Sequence, residues 1–398
     1  MKQKILWSGK SHNFNSSEIK YIVHAIKNAD PLSQGKYLNL FEEKLKKYLN
    51  VKNIFVTSSA ASAIEIIAQL LELKKNDEVI IPAHTYCASA IPFARNGAKI
   101  VWCDINLDTR TLDFNDVKKK ITKKTKAIVA VHLYGYAVDL FALKKIIGKK
   151  RISLIEDCAQ AFGAELNKKK AGTLGDYSCF SFHAQKNMTT LGEGGALYVK
   201  NKNLASKVFS LRLNGHAPFK KNRKHYWKPA MINLVDELKY SWPNKFTLSE
   251  PQCASGIVLL KRIDKMNGLR IKRAKYFINE IEKFTKKLNF NSNFNNRRHV
   301  YHLLTALVEP SKNFNRDLLI KQLYFKYRIQ CIVQFYPLYK YPLFKNKGFG
   351  NAYCPKTEKF FNNMISFPFH IWMTQKNFNY MVESVKNAIN DLTKKNLN

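Results

Sequence analysis

One lysine in this chain stands where an amine can be made reactive. Residues 180–195 read FSFHAQKNMTTLGEGG, an apolar approach, then Lys186, then a turn with three glycines. Phe180, Phe182 and His183 on one side, with small polar residues on the other, can desolvate an amine, lower its pKa and make it a nucleophile. The plainer reading is a turn between two core strands with a surface lysine, and this stretch alone does not choose between them. A second stretch adds weight. Residues 152–164, ISLIEDCAQAFGA, form a buried-strand pattern that ends in Glu156-Asp157, followed by Gln160 and Gly163. In an α/β pattern, a carboxylate at the carboxyl end of a strand lies where open sheets bind their ligands.

The elements that must position these groups alternate. Strands are expected over 53–57, 77–82, 99–104, 126–132 and 177–182, with helices between them, as in a mostly parallel, doubly wound sheet. Ahead of them, residues 16–28 and 37–49 read as amphipathic helices, the first carrying Ile19, Ile22, Val23 and Ile26 with Ser16-Ser17 as caps. Thr57-Ser58-Ser59-Ala60-Ala61-Ser62 opens a helix over 63–73. Such a start is either an anion site or ordinary capping by Ser58 or Ser59. Gly172-Thr173-Leu174-Gly175-Asp176 lacks the Gly-Lys-Ser/Thr ending of a phosphate loop. Beyond a helix at 202–212, one long helix over 251–284 links to a smaller α+β domain. That domain has strands 300–308 and 329–335 around a helix at 317–327. The division expected is 1–255 and 256–398.

Composition excludes several classes. With 45% hydrophobic and 13% aromatic residues the chain is not a disordered one. No secretory signal or membrane-spanning run is evident. Seven cysteines without a CxxC pair point to reduced thiols in the cytoplasm, not to a disulfide framework or a zinc site, and no metal is expected. The net charge of +38 raises nucleic-acid binding. Because the lysines are spread along the whole chain, in runs such as Lys118-Lys119-Lys120, we read a compositional bias and no specific nucleic-acid partner.

Taken together, these stretches resemble the DegT/StrS-type family of pyridoxal-phosphate-dependent sugar aminotransferases, of fold type I, from about Ser33 to the C-terminal helix. The resemblance implies that Lys186 holds pyridoxal phosphate as an imine, with His183 completing the family's His-x-x-Lys. Asp157 then has a use, since a buried carboxylate keeps the cofactor's ring nitrogen protonated. By the same resemblance Tyr86 stacks on the ring, Gln160 meets the ring oxygen and Ser181 binds the phosphate. Ser59 and Ala60 stand at the Gly and Thr positions of the family's Ser-Gly-Thr-Ala phosphate turn, so the threonine hydroxyl is missing. Lys245 takes the place of an asparagine that reaches the partner's phosphate across a homodimer, with Asn244 one residue off. Residues 220–242 would loop over the site or the partner subunit. Gln334-Phe335-Tyr336-Pro337-Leu338-Tyr339 replaces both histidines of the family's His-Tyr-x-Pro-Leu-His.

The activity implied is transfer of an amino group from an amino acid, glutamate by resemblance, to a keto-sugar, nucleotide-linked, in amino-sugar or polysaccharide biosynthesis. An acceptor that is a cyclitol or other ketone keeps every motif. A sugar dehydratase of the same fold would carry histidine in place of Lys186. The non-enzyme alternative is a basic nucleic-acid-binding protein on this scaffold.

Overall fold

Near-continuous apolar runs such as 79–81 and 127–131 cannot leave either face in water, so they fold as interior strands covered on both sides. The computed structural model describes residues 4–218, 233–239, 241–291 and 296–394. In chain order its first strands are β1 (Ile54–Thr57), β2 (Glu78–Pro82), β3 (Lys99–Cys103), β4 (Thr125–Val131), β5 (Ser153–Asp157), β6 (Glu165–Leu166), β7 (Lys169–Lys170), β8 (Tyr177–Ser181) and β9 (Gly195–Val199). Seven of them form one sheet in the order β1-β9-β8-β5-β4-β2-β3. Only β9 runs against the others. The carboxyl ends of β2, β4, β5 and β8 therefore meet at one edge.

Helices cover both faces: α1 (Ser16–Asn28), α2 (Lys36–Leu49), α3 (Ala60–Leu70), α4 (Ile91–Arg95), α5 (Phe114–Lys120), α6 (Leu140–Ile147), α7 (Lys202–Leu211), α8 (Glu250–Leu260) and α9 (Ile263–Phe284). On one face Phe41 and Leu45 of α2, Leu143 of α6 and Ile257 of α8 pack on Ile54, Ile80 and Ile128. On the other, Ile64 and Ile67 of α3 and Val208 of α7 pack on Val79, Ile81 and Val129. Successive strand residues serve opposite cores, as the pleat requires.

Several expectations are corrected. Helix α3 begins at Ala60, not residue 63, because the Ser59 hydroxyl accepts from the Ser62 N–H at 3.0 Å and caps it. Helix α1 is capped by Asn15, not by Ser16 or Ser17: Asn15 and Glu18 exchange side-chain and backbone bonds, both 2.9 Å. Glu18 must then face inward, where it pairs with Arg262 at 2.5 Å, and the helix is turned accordingly. Ile22 and Ala25 are buried, whereas Ile19, Val23 and Ile26 stay 50%, 39% and 53% exposed. The single helix expected over 251–284 is two. Arg262 leaves helical geometry (φ −118°, ψ 5°), its N–H bonding back to Leu259 while its guanidinium holds Glu18 and the Asn13 carbonyl. Helix α8 is buried almost all round; the break lets the amphipathic α9 leave in its own direction.

The C-terminal part adds β10 (Leu288–Asn289), β11 (Arg297–Arg298), β12 (Leu304–Val308), α10 (Arg316–Phe325), α11 (Pro342–Asn346), α12 (Pro355–Asn363), β13 (Met364–Phe367) and α13 (Gln375–Lys394). Strands β10, β12 and β13 make a three-stranded sheet, and Phe277, Leu319, Phe367 and Val385 build a third core with Ile5 from the other end of the chain. The strand expected over 300–308 starts only at Leu304. Tyr301 has φ +44°, and the N–H groups of Val300 and His302 bond to Gly135 and Tyr134. Residues 329–335 are not a regular strand either. They make two isolated bridges, Ile329 to Ile5 and Ile332 to Ser366, because two different neighbours share the segment.

Candidate active site

The strand ends converge on a cavity of about 450 Å³. Asp157 closes β5, Ser181 closes β8, Tyr86 follows β2, and Ser59 and Ala60 follow β1; all line it, together with Gln160, His183 and Lys186. Residues far apart in the chain meet here because parallel strands deliver their carboxyl ends to one edge.

Asp157 is held as an acceptor. Ser89 donates its hydroxyl to Oδ2 at 2.7 Å and the Ala159 N–H reaches Oδ1 at 3.0 Å. Gln160 is oriented too: the Tyr134 N–H donates to its Oε1 at 2.8 Å, which leaves the amide NH₂ for the cavity. Tyr134 also donates its hydroxyl to the Gln334 carbonyl at 2.6 Å, tying the Gln160 side of the cavity to the Gln334–Phe335 wall.

Glu156, one residue earlier, faces the opposite way. It accepts from the N–H groups of Gly172, Leu174 and Gly175 at 2.6–2.7 Å, and from His132 at 2.9 Å. Burial alone would raise its pKa, but the His132 bond and these amides outweigh it and hold the carboxyl below its ordinary range. The glycine loop at 172–175 thus spends its amides on an internal carboxylate. His132, Glu156 and Cys158 bring donor atoms within 4.8 Å of one another. His132 and Glu156 are already used, and burial pushes the Cys158 thiol far up, so the trio is a folded-core network.

Lys186 lies in a closed loop: the Phe182 N–H bonds to Gly194, Ala184 to Gly192, and Thr190 back to Phe182. From the other side the N-terminal segment straps it down. Ser11 donates to the Lys186 carbonyl, and His12 donates its Nε2 proton to the same oxygen at 3.2 Å. Burial, then Arg270 and Arg262, push the His12 pKa down to about 4, so that ring is neutral at pH 7. Burial lowers the Lys186 pKa from 10.5 to about 8, opposed mainly by the Asp157 carboxylate. A neutral, nucleophilic amine is therefore accessible close to neutral pH. His183 is partly exposed at the rim, with Nε2 3.8 Å from Glu193. Tyr86 is 58% exposed, its ring 6.0 Å from Phe335.

The start of α3 presents free N–H groups beside the cavity, and Gly195 makes this possible: a Cβ there would meet the Ser59 carbonyl carbon at 2.4 Å and the Ala60 nitrogen at 2.5 Å. The Ser62 hydroxyl shares hydrogen bonds with the hydroxyls of Ser58 and Ser59 at 2.7 and 2.8 Å. A carboxylate, a buried amine and a helix start with hydroxyls form a donor set that fits a phosphorylated, protonated pyridine aldehyde. Lys245 is not brought to this cavity. It is exposed and bridged to Leu213, with Asn244 bonded to Leu211 and Asn214. Most of 220–242 lies outside the described residues.

Sequence reasoning missed Ser89, Tyr134, His302 and the strap of Trp7, Ser8, Lys10 and Ser11, all of which line or support the cavity. No local pattern marks them, because each reaches the site only through long-range packing.

A doubly wound sheet with a buried lysine and a strand-end aspartate facing one cavity defines a fold-type-I transferase. Residues 14–386 match the DegT/DnrJ/EryC1/StrS aminotransferase family, and the chain belongs to it. It is an aminotransferase that works with pyridoxal phosphate. It is 29% identical to the GDP-perosamine synthase of Vibrio cholerae over 95% of this chain and 98% of that protein. It is likewise 29% identical to the UDP-4-amino-4,6-dideoxy-N-acetyl-beta-L-altrosamine transaminase of Campylobacter jejuni, over 96% and 97%. Among solved structures, Helicobacter pylori PseC, an aminotransferase of pseudaminic acid biosynthesis, superposes with TM-score 0.86 at 26% identity, covering 97% of this chain and 99% of that one. A Streptococcus pneumoniae protein described as a sugar aminotransferase gives TM-score 0.85 in its PMP form at 26% identity, covering 98% and 99%.

Proposed function

We propose that the enzyme moves an amino group from an amino acid, glutamate, to a keto-sugar carried on a nucleotide, in amino-sugar or polysaccharide biosynthesis. The observation that carries this reading is the Lys186 amine, lowered in pKa by burial and set in one cavity with Asp157. The relatives named for GDP-, dTDP- and UDP-linked sugars support the acceptor class. Asp157 would hold the ring nitrogen of pyridoxal phosphate, Gln160 its ring oxygen, Tyr86 its face, and Ser59, Ala60 and Ser181 its phosphate. When bound, the cofactor supplies an electron sink for the carbanion left when the donor loses its Cα proton. Lys186 takes that proton and, in the second half-reaction, delivers one to the carbon that receives the amine. His183, at the rim, accepts the Gln185 N–H at Nδ1 at 3.3 Å and would thereby orient the loop that carries Lys186. Glutamate leaves as the 2-oxo acid and the sugar carbonyl becomes a C–NH₂.

The direct check is the visible spectrum of the cofactor-loaded protein. Glutamate is expected to bleach its absorbance and a nucleotide keto-sugar to restore it. No response to glutamate overturns the donor, and recovery with a cyclitol ketone but not a nucleotide sugar overturns the acceptor.

The same reading includes a homodimer. Lys245 lies outside its own chain's cavity, free to serve a partner's phosphate, and Ile19, Val23 and Ile26 of α1 are left on the surface. Light scattering should give twice the 46.1 kDa chain mass; a monomer that turns over at full rate would sink this part. All seven cysteines are unpaired, which suits the reducing cytoplasm. No helix among the described residues is long and apolar enough to cross a membrane.

A further inference from the structure

The lysines are scattered in the sequence but not in space. Parallel strands share a starting edge, opposite the cavity, and the loops entering β2, β4 and β5 place Lys74, Lys75, Lys123, Lys124, Lys149 and Lys150 there, every one exposed. The outer strands extend the row. Lys52 precedes β1, and Lys200 and Lys202 follow β9, whose reversed direction brings its end to this same edge. Helices that return from the cavity side end here as well, so the last turns of α5 and α6 add Lys118, Lys119 and Lys145. Both helices cover one face of the sheet, which widens the row into a two-dimensional field.

Acidic residues on this edge are outnumbered by the lysines. Glu78 is paired with Lys99 and also accepts from Thr122. Asp77 and Asp176 accept the Lys74 and Leu154 backbone N–H groups and keep their charge, and Glu72 is exposed. Among the described residues, none of the six central lysines has a carboxylate within ion-pair distance. A single-stranded nucleic-acid track interleaves aromatic platforms and arginines with its cations. These loops offer lysines on flexible stems, with Arg151 the one guanidinium in the loop entering β5. Broad and lysine-based, the field matches a planar array of negative headgroups, where each cation adds to attraction within a Debye length.

From this we infer that the strand-start edge is a docking face for the surface of an anionic phospholipid bilayer, leaving the cavity edge turned away from it. The test is co-sedimentation of the intact enzyme with phosphatidylglycerol–phosphatidylcholine vesicles, with pure phosphatidylcholine vesicles alongside. Binding is expected only to the anionic vesicles and should be lost in high salt. Six Lys→Gln changes at 74, 75, 123, 124, 149 and 150 should weaken it at least about tenfold while turnover is unchanged. The same number of changes at Lys265, Lys272, Lys275, Lys283, Lys286 and Lys321, exposed on α9, α10 and the turn after α9, should leave most of the binding intact. Equal loss in both variants would show net charge without a face and overturn the proposal. Tighter binding to duplex DNA than to the vesicles at the same salt, lost with the first set of lysines, would overturn it in favour of nucleic acid.

Discussion

Replacing Lys186 by alanine is expected to abolish turnover without unfolding the protein. Proton transfer by a positioned side chain alone contributes roughly 10²–10⁴-fold, and Lys186 also offers the nucleophilic amine of the cavity. Its pKa is lowered from 10.5 to about 8 by burial, with Asp157 opposing. The charged form is therefore disfavoured in the fold, at a cost of roughly 3 kcal/mol below pH 8. The unfolded chain binds the extra proton between about pH 8 and 10.5, so the cost fades and stability rises with pH across that window. Alanine removes the cost together with the function. The apoprotein variant should melt no earlier than wild type at pH 7, take up cofactor without the spectrum of a lysine-bound form, and show no response to glutamate. In wild type, the rate of cofactor uptake should climb as pH passes through about 8. Measurable turnover by the alanine variant would remove Lys186 from the chemistry.

Asp157→Asn should be nearly as damaging, for a separable reason. Asparagine can keep the shape and still accept from Ser89 or the Ala159 N–H, so the strand end stays in place. What it loses is the fixed negative charge, and removing one electrostatic stabiliser of a reacting centre typically costs about 10²–10³-fold in rate. A second effect has a definite sign. Asp157 raises the Lys186 pKa, so its neutralisation should move the pH midpoint of cofactor uptake below that of wild type. Loss of activity with an unmoved midpoint would mean that Asp157 and Lys186 do not interact electrostatically. Loss with a collapsed melting temperature would mean that Asp157 serves the fold.

Alternating apolar runs are enough to read a mostly parallel sheet and to put Asp157 at a strand end, because those depend on local periodicity. Lys186 stands out from a surface lysine only through the family resemblance, and the start at Ser59 stays open between anion site and ordinary cap. Tertiary structure decided the rest, because the deciding contacts are long-range. Helix α1 looks as if four isoleucine and valine side chains should face inward, but the Glu18–Arg262 pair turns it and three remain outside. The helix expected at 251–284 has no proline or helix-breaking turn signal at its break, which depends on what Arg262 meets across the chain. Ser89 reaches Asp157 across 68 positions and Ser11 reaches Lys186 across 175, distances that no window of sequence spans. The basic edge has the same origin. Lysines dispersed along the chain become one face only because parallel strands all start on the same side of the sheet.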